Sequence, residues 1–370
     1  MKSQLSPDIK NLKRYVLCRN CTKRLVLKPN QKKFSKPNHS NSKCYICKDI
    51  FDTLDSILFN IYDKIEAFDF KTFNLGLTLK NSYMERDDNI KSKFKIKGIG
   101  NIKYGISHEL SKKISKKTKS KKVSESPDIF LQINLKDNSC TVRSKPIFIY
   151  GRYNKKIRKL SQKQKSCKIC NGIGCHNCDF IGFTNYESIE SKISDFLIKK
   201  FVAKQVQINW IGGEDQSSLV LGNGRPFFAK IINAQRRKRL AQKDIDLETV
   251  YLSELRKLTV QPKGSISFKS EVSITINTKK LISSKILKNL SHLKNAKITS
   301  TSEDKKSNTK KIYDVHYKKL GKTRFLLNLL VDGGIPLKSL VQNSDVDPNI
   351  SKILGNQCTC EKLDFKNIII

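Results

Sequence analysis

Eight of the eleven cysteines in this chain stand in four Cys-x-x-Cys pairs: Cys18 with Cys21, Cys44 with Cys47, Cys167 with Cys170, and Cys175 with Cys178. Two residues between cysteines make one tight turn, and that turn presents both sulfurs to the same point. Two such turns together supply four thiolates, the ligand set of a tetrahedral metal ion. Disulfides are the competing use of paired cysteines. Met1 to Lys13 is polar, is interrupted by Pro7 and lacks the apolar core of a secretory signal, which predicts a cytoplasmic protein. Thiols stay reduced there, and metal becomes the expected partner.

Cys18, Cys21, Cys44 and Cys47, with a basic, proline-containing insert between the two pairs, have the arrangement of a zinc ribbon or treble-clef knuckle. With cysteine at all four positions no coordination site stays open for water, so the expected zinc is structural rather than catalytic. Cys167, Cys170, Cys175 and Cys178 lie in CKICNGIGCHNC, where Gly172 and Gly174 let the chain fold back on itself. Zinc is the first reading of this second set, and an iron–sulfur cluster uses the same ligands at the same spacing. His176 is expected to be an exposed bystander, and Cys140, Cys358 and Cys360 to be ordinary buried thiols.

Lysine and arginine number 73 against 33 acidic residues, a formal net charge of +40. Solubility needs far less. A polyanionic partner is implied, and nucleic acid leads. A membrane surface would call for a basic amphipathic helix with a bulky apolar face or a long apolar span, and the sequence has neither.

A length of 370 residues predicts two domains, here 1–155 and 156–370. Phe51, Leu54, Leu58, Ile61 and Ile65 recur every three or four residues, the stripe of an amphipathic helix. A strand is expected over Phe68 to Leu77 and a helix around His108 to Ile114. The tract SKKISKKTKSKK at Ser111 to Lys122 is too polar to bury and reads as a solvated loop, a helix end or a phosphate-contacting arm. Two strands, Ile129 to Leu135 and Thr141 to Tyr150, flank a hairpin turn at Asp137 and Asn138. The cation-rich Gly151 to Lys165, with Tyr153 in it, reads as an RNA-facing connector. Farther on, strands are expected over Ile266 to Ile276 and Arg324 to Val331. Helices are expected near Thr249 to Leu258 and Lys280 to Leu293, and a charged loop at Ser302 to Lys311. The fold class is α+β, with mixed strands and helices in the larger second domain.

The segment GGEDQSSLVLGNGRPF from Gly212 to Phe227 has too many glycines for a helix. It lacks the GK[ST] ending of a phosphate loop, and GxGxxG is absent, so no nucleotide cofactor is expected. It supplies an acidic pair on a tight loop, Glu214 and Asp215, with a nearby arginine, Arg225, and a Pro-Phe pair entering an apolar strand. A carboxylate against a flipped base and a plain β-turn before a strand are both compatible with that pattern.

The same segment resembles the central signature GREDxDxRxLGxGRPF of the tenth family of pseudouridine synthases, whose archaeal members modify tRNA. Other landmarks stand in the family's order: SPDI at Ser126 to Ile129, PIFIYGRY at Pro146 to Tyr153, the second cysteine cluster, GGIPLKSLV at Gly333 to Val341, and Leu363-Asp364. The resemblance implies an N-terminal zinc-binding, THUMP-like RNA-binding domain, then a mixed-sheet pseudouridine synthase catalytic domain. It implies that Asp215 is the nucleophile, that no organic cofactor is used, and that the substrate is the TΨC arm of tRNA at uridines 54 and 55 in tRNA numbering. It predicts neither a membrane nor an obligate protein partner.

Departures from the signature matter. The arginine before the Glu-Asp pair is Gly213, and the later aspartate and arginine are Ser217 and Leu219, which leaves Arg225 as the expected partner of Asp215. The tyrosines expected to meet the uridine fall on Pro336 and Glu271. Glu214, Phe227, Lys269 and Lys338 are the remaining expected substrate contacts, with Tyr313, Tyr317 or Phe227 standing in for the missing rings. These departures motivate the alternative of a catalytically weak or inactive zinc-containing tRNA-binding protein. A ribosome-associated zinc-ribbon protein without an active site is a third reading, disfavoured by the intact Glu-Asp pair and its LGxGRPF frame.

Overall fold

The structure, a computed structural model of the chain, describes residues 12, 14–25, 42–180, 182–183, 187–237, 240, 243–262, 264–301, 307–342 and 345–370. The basic insert between the first two cysteine pairs, and residues 302–306 of the expected charged loop, lie largely or wholly outside these. Two compact units are formed. One takes Met1–Lys145 together with Asn233–Arg237, and the other takes Pro146–Ile232 with Lys238–Ile370.

The first unit runs α1 (Arg19–Leu25), α2 (Leu54–Ile65), β1 (Thr72–Thr78), α3 (Asn81–Lys93), α4 (Ile102–Thr118), β2 (Lys121–Lys122), β3 (Ile129–Asn134) and β4 (Ser139–Ser144). Its sheet has the order β2-β1-β3-β4. β1 and β3 are parallel, Phe73 opposite Ile129, and the α3–α4 pair makes the crossover between them. β3 and β4 form the expected hairpin, with Asn138 at φ 58° in the turn. The alternation in β1 and β3 buries Phe73, Leu75, Leu77, Ile129, Leu131 and Ile133 on one face. Ile57, Leu58, Ile61 and Ile65 of α2 cover that core, as their spacing predicts.

The lysine-rich tract is mostly helix. α4 continues to Thr118 because Ile106, Leu110 and Ile114 repeat every four residues and are fully buried, which anchors the polar remainder. Lys116 and Lys117 fall in its last turn, where cations suit the negative end of the helix dipole, and Lys119 closes it at φ 55°.

The second unit runs β5 (Ile147–Lys155), α5 (Ile189–Phe201), β6 (Gln205–Trp210), β7 (Leu219–Ile232), β8 (Ile245–Asp246), β9 (Val250–Leu258), β10 (Lys269–Thr278), α6 (Ser284–Leu287) with a 3₁₀ turn at Lys288–Leu293, β11 (Lys297–Thr301), β12 (Ser307–Lys319), β13 (Arg324–Asp332), α7 (Leu337–Gln342), β14 (Val346–Asp347), α8 (Ile350–Leu354) and β15 (Cys358–Ile369). One large sheet takes the order β14-β11-β12-β13-β10-β15-β7-β5-β9-β8, with β6 also paired to β7. The pairing of β15 with β7, Asp364 opposite Leu219, is parallel.

Three expectations fail here for physical reasons. The expected strand Thr141 to Tyr150 is two strands, β4 and β5, parted at Lys145-Pro146, where proline has no N–H to donate. Thr249 to Leu258 is strand β9 rather than helix. Its buried residues Val250, Leu252 and Leu255 break the two-residue period at a bulge, where Glu254 sits at φ 53°, and that offset imitates helical spacing. Gly151 to Lys155 is the C-terminal half of an interior strand, not a connector, and Tyr153 and Lys155 are fully buried.

Candidate active site

The loop from Ile211 to Ser218 carries the acidic pair from the end of β6 into β7. It starts at Gly212, φ 73°, where a Cβ would lie 2.4 Å from the Phe268 ring and 2.8 Å from the Arg225 guanidinium, so no side chain fits. At Asp215 the chain turns. The Ser217 N–H and hydroxyl both donate to Asp215 Oδ1, at 2.8 and 2.5 Å, and the Ser218 N–H donates to the Asp215 carbonyl at 3.1 Å. This aspartate turn fixes the carboxylate at the protein surface, with 40 % of the side chain exposed.

The cation beside Asp215 is Lys338, with Nζ 2.9 Å from Oδ1. α7 supplies it: Leu337, Leu340 and Val341 bury one side of that short helix, and Lys338 falls on the other. Burial works against ionisation of Asp215, but the Ser217 hydroxyl and N–H together with Lys338 outweigh it and hold the carboxyl down at about 2. The group is a carboxylate throughout the physiological range.

Glu214, one residue earlier, points the other way. Its side chain is fully buried between two cations, Arg225 Nε at 3.4 Å and Lys155 Nζ at 3.7 Å. Burial pushes its carboxyl above the ordinary value although both cations pull it down. Arg225 therefore serves Glu214, and its other partners are the Ile211 carbonyl at 2.9 Å and the Phe365 ring at 4.5 Å. The structure gives the ion pair of Asp215 to Lys338, where Arg225 was expected.

Below the turn, Lys155 Nζ donates to the carbonyls of Asp215 and Gln216, at 3.0 and 3.1 Å. Tyr153, also buried, accepts from Gln162 Nε2 at 2.9 Å and packs edge-on to Trp210. Beside the turn, Arg158 donates to the Ser217 carbonyl and pairs with Asp364, Nη2 to Oδ2 at 2.8 Å; Asp364 Oδ1 accepts from the Leu219 N–H at 2.9 Å.

Of the other expected substrate contacts, Phe227 is fully buried against Tyr153 and Trp210. Lys269 lies with Nζ 3.8 Å from the centre of the Tyr313 ring, and the Tyr313 hydroxyl donates to Asp332 at 2.9 Å. Glu271 accepts from Asn367 Nδ2 at 2.6 Å. Sequence reasoning missed Lys155, Arg158, Gln162 and Phe268. Lys155 carried a weak signal, since a cation at the end of a largely apolar run (PIFIYGRYNK) is costly to bury unless it has partners, whereas Arg158 lies beyond that run. Gln162 and Phe268 carried none.

Both cysteine sets close. Cys18, Cys21, Cys44 and Cys47 lie within 4.8 Å of one another, as do Cys167, Cys170, Cys175 and Cys178, and each set could hold a metal ion. Backbone N–H groups point at the sulfurs, Cys21 to Cys18, Gly174 to Cys170 and Gly182 to Cys178, which favours thiolates. His176 stacks edge-on to Phe180 and stands outside the ligand set. Among the described residues no helix is long and apolar enough to cross a membrane.

Comparison with known proteins agrees with both halves of this architecture. Residues 148–368 match the Pus10 C-terminal family, and residues 59–134 match the archaeal Pus10 THUMP domain. A tRNA pseudouridine synthase Pus10 from Nitrosopumilus maritimus is 42% identical over 365 residues, covering 96% of each chain. Its counterpart from Cenarchaeum symbiosum is 31% identical over 364 residues, 96% of this chain and 90% of that one. The Korarchaeum cryptofilum protein of the same name is 26% identical over 354 residues, 90% of this chain and 94% of that one. With an α+β fold, a THUMP domain on the N-terminal side and both family regions in order, this chain belongs to the archaeal Pus10 family of pseudouridine synthases.

Proposed function

We propose that this protein isomerises uridine to pseudouridine in the TΨC arm of tRNA, at uridines 54, 55 or both in tRNA numbering, with Asp215 as nucleophile. The observation that carries the reading is the Asp215 carboxylate: ionised, partly exposed, fixed by Ser217, and paired at 2.9 Å with Lys338. Uridine and its product are isomers. The bond from ribose C1′ to N1 breaks, one from C1′ to C5 forms, the proton on C5 is lost and one is gained at N1. No redox partner or second substrate enters the balance. Asp215 supplies the nucleophilic oxygen that attacks the flipped nucleotide, and Lys338 orients that oxygen and offsets its charge. Flipping costs a few kcal/mol, which phosphate contacts from a chain of net charge +40 can offset. The THUMP-type unit is read as an accessory tRNA-binding part, and the cytoplasm, where tRNA is processed, as its location.

We read the ion of each cysteine set as structural zinc. Four sulfurs about 2.3 Å from zinc stand about 3.8 Å apart along a tetrahedron edge. The sulfur separations here are 3.5 Å for Cys18–Cys47, 3.9 Å for Cys167–Cys175 and 3.7 Å for Cys170–Cys178.

Incubating an unmodified tRNA transcript with the wild type and with Asp215→Ala, then mapping pseudouridine chemically, tests the catalytic reading. Product from the wild type alone supports it. Product from both variants removes Asp215 from the chemistry, and product from neither leaves the alternative of a tRNA-binding protein without catalysis.

A further inference from the structure

The buried lysine under the active-site turn has no place in the chemistry above. Lys155 is fully buried at the end of β5, an interior strand paired on both sides with β7 and β9. A lysine in such a position loses its hydration, and burial accordingly pushes its pKa down. It is tolerated only if something inside the protein replaces water. Two things do: the carbonyl oxygens of Asp215 and Gln216 accept from Nζ at 3.0 and 3.1 Å, and the Glu214 carboxylate stands 3.7 Å away. Among the described residues, every hydrogen-bond and ion-pair partner of this ammonium is therefore in three consecutive residues, Glu214 to Gln216, which are the residues that display the nucleophile.

We propose that Lys155 is a positioning residue for the reaction at Asp215, tying the backbone of the nucleophile's turn to the central sheet so that the carboxylate is held toward Lys338 and the incoming nucleotide. The proposal rests on the catalytic reading of Asp215 and deepens it. Asp215 itself lies on a loop that begins at a glycine and is held by its own serine turn, by Lys338, by Arg158 donating to the Ser217 carbonyl and by the Lys159 N–H donating to the Gln216 carbonyl at 2.8 Å. Lys155 adds to these a buried, charged tether from β5 to the backbone of Asp215 itself. Two charge-assisted bonds from a fully buried lysine side chain hold the turn against displacement. Glu214 completes the device. It neutralises the ammonium and is held in turn by Arg225, so that lysine, glutamate and arginine form one buried chain of charges beneath the turn.

The variant Lys155→Met keeps the length of the side chain and leaves Glu214 and Arg225 as a neutral pair, so the sheet should still form. Purified protein is assayed with unmodified tRNA transcript for kcat and KM separately. We expect kcat to fall about 100-fold, the size of effect that misplacing a reacting group by about an ångström produces, with KM within about threefold because Lys155 does not reach the RNA. Lys155→Arg, whose N–H groups still reach the two carbonyls, should recover a tenth or more of the wild-type kcat. Ile149→Val, on the same strand and away from the turn, lowers the melting temperature without lowering kcat and so serves as the control for plain loss of stability. A folded Lys155→Met enzyme with kcat within about threefold of wild type, or a Lys155→Arg enzyme no better than Lys155→Met, overturns the proposal. Amide hydrogen exchange of Ser217 and Ser218, compared between the wild type and Lys155→Met, decides independently of activity. Protection that falls in Lys155→Met while β7 stays protected supports the tether, and unchanged protection overturns it. A wild type that makes no pseudouridine defeats the catalytic reading, and the exchange result then still decides whether Lys155 holds the turn.

Discussion

Two adjacent carboxylates, Glu214 and Asp215, are driven in opposite directions by their surroundings. The first is fully buried and its carboxyl is raised; the second is part-exposed, bonded to Ser217 and Lys338, and lowered to about 2. A lowered carboxyl contributes stability at every pH above its unfolded value, near 3.9, and loses it as the pH falls from there toward 2. The contribution is screened by solvent at this exposure and adds little to stability. Removing the cation by Lys338→Met should let the Asp215 carboxyl return toward the ordinary carboxylate range, still far below neutrality. Protonation then cannot explain a lost rate. We expect kcat to fall by about 100-fold, as when one electrostatic partner of a reacting group is removed, and by the same factor at pH 6 and at pH 9. Activity that recovers as the pH is raised would show that Lys338 acts by keeping Asp215 ionised. That Glu214 and Asp215 would be displayed on a tight loop was legible from GGEDQSSLVLGNGRPF; that Lys338 rather than Arg225 would stand beside Asp215 was not. Arg225 is only ten residues on, but its side chain on β7 turns inward to Glu214.

Elements show how far periodicity carries. α2 and β13 were legible because each buries one uninterrupted stripe: Leu54, Leu58, Ile61 and Ile65 in the helix, and alternate residues from Phe325 to Val331 in the strand. β9 was misread because a single bulge at Glu254 shifts the stripe by one residue. α4 was underestimated because three buried isoleucine and leucine side chains suffice to hold a helix whose remaining surface is lysine. The cysteine sets differ in how deeply they are built in. Cys21, Cys44 and Cys47 are buried in the core of the first unit with Leu25, Ile46 and Ile50, whereas Cys170 and Cys175 are only half-buried. Elemental analysis should find about two zinc ions per chain, and Cys44→Ser or Cys170→Ser should each reduce that to about one. The melting temperature should fall farther for Cys44→Ser, because Cys44 packs within the apolar core of the first unit. Equal losses of stability would contradict that difference, and a wild type nearly free of metal would contradict both sites.

At the scale of the whole molecule, a net charge of +40 sets the physics of binding. An interface built on phosphate contacts releases counterions, and its affinity falls steeply with salt. We expect affinity for unmodified tRNA to drop by about 1000-fold or more between 50 and 200 mM monovalent salt, measured by filter binding or fluorescence anisotropy. A flat response would mean that the charge is a compositional trait unrelated to the substrate. The charge, the two four-cysteine sets and the loop bearing Asp215 were determined by the sequence alone, because each rests on residue type and short-range spacing. The partners of the charged groups were decided by the tertiary structure. Lys155 meets the Asp215 carbonyl across 60 residues, Arg158 meets Asp364 across 206, and Lys338 arrives at Asp215 on a separate helix. Such pairings depend on the register of β5, β7 and β15 side by side in one sheet, and that register follows from the packing of the whole unit rather than from any segment within it.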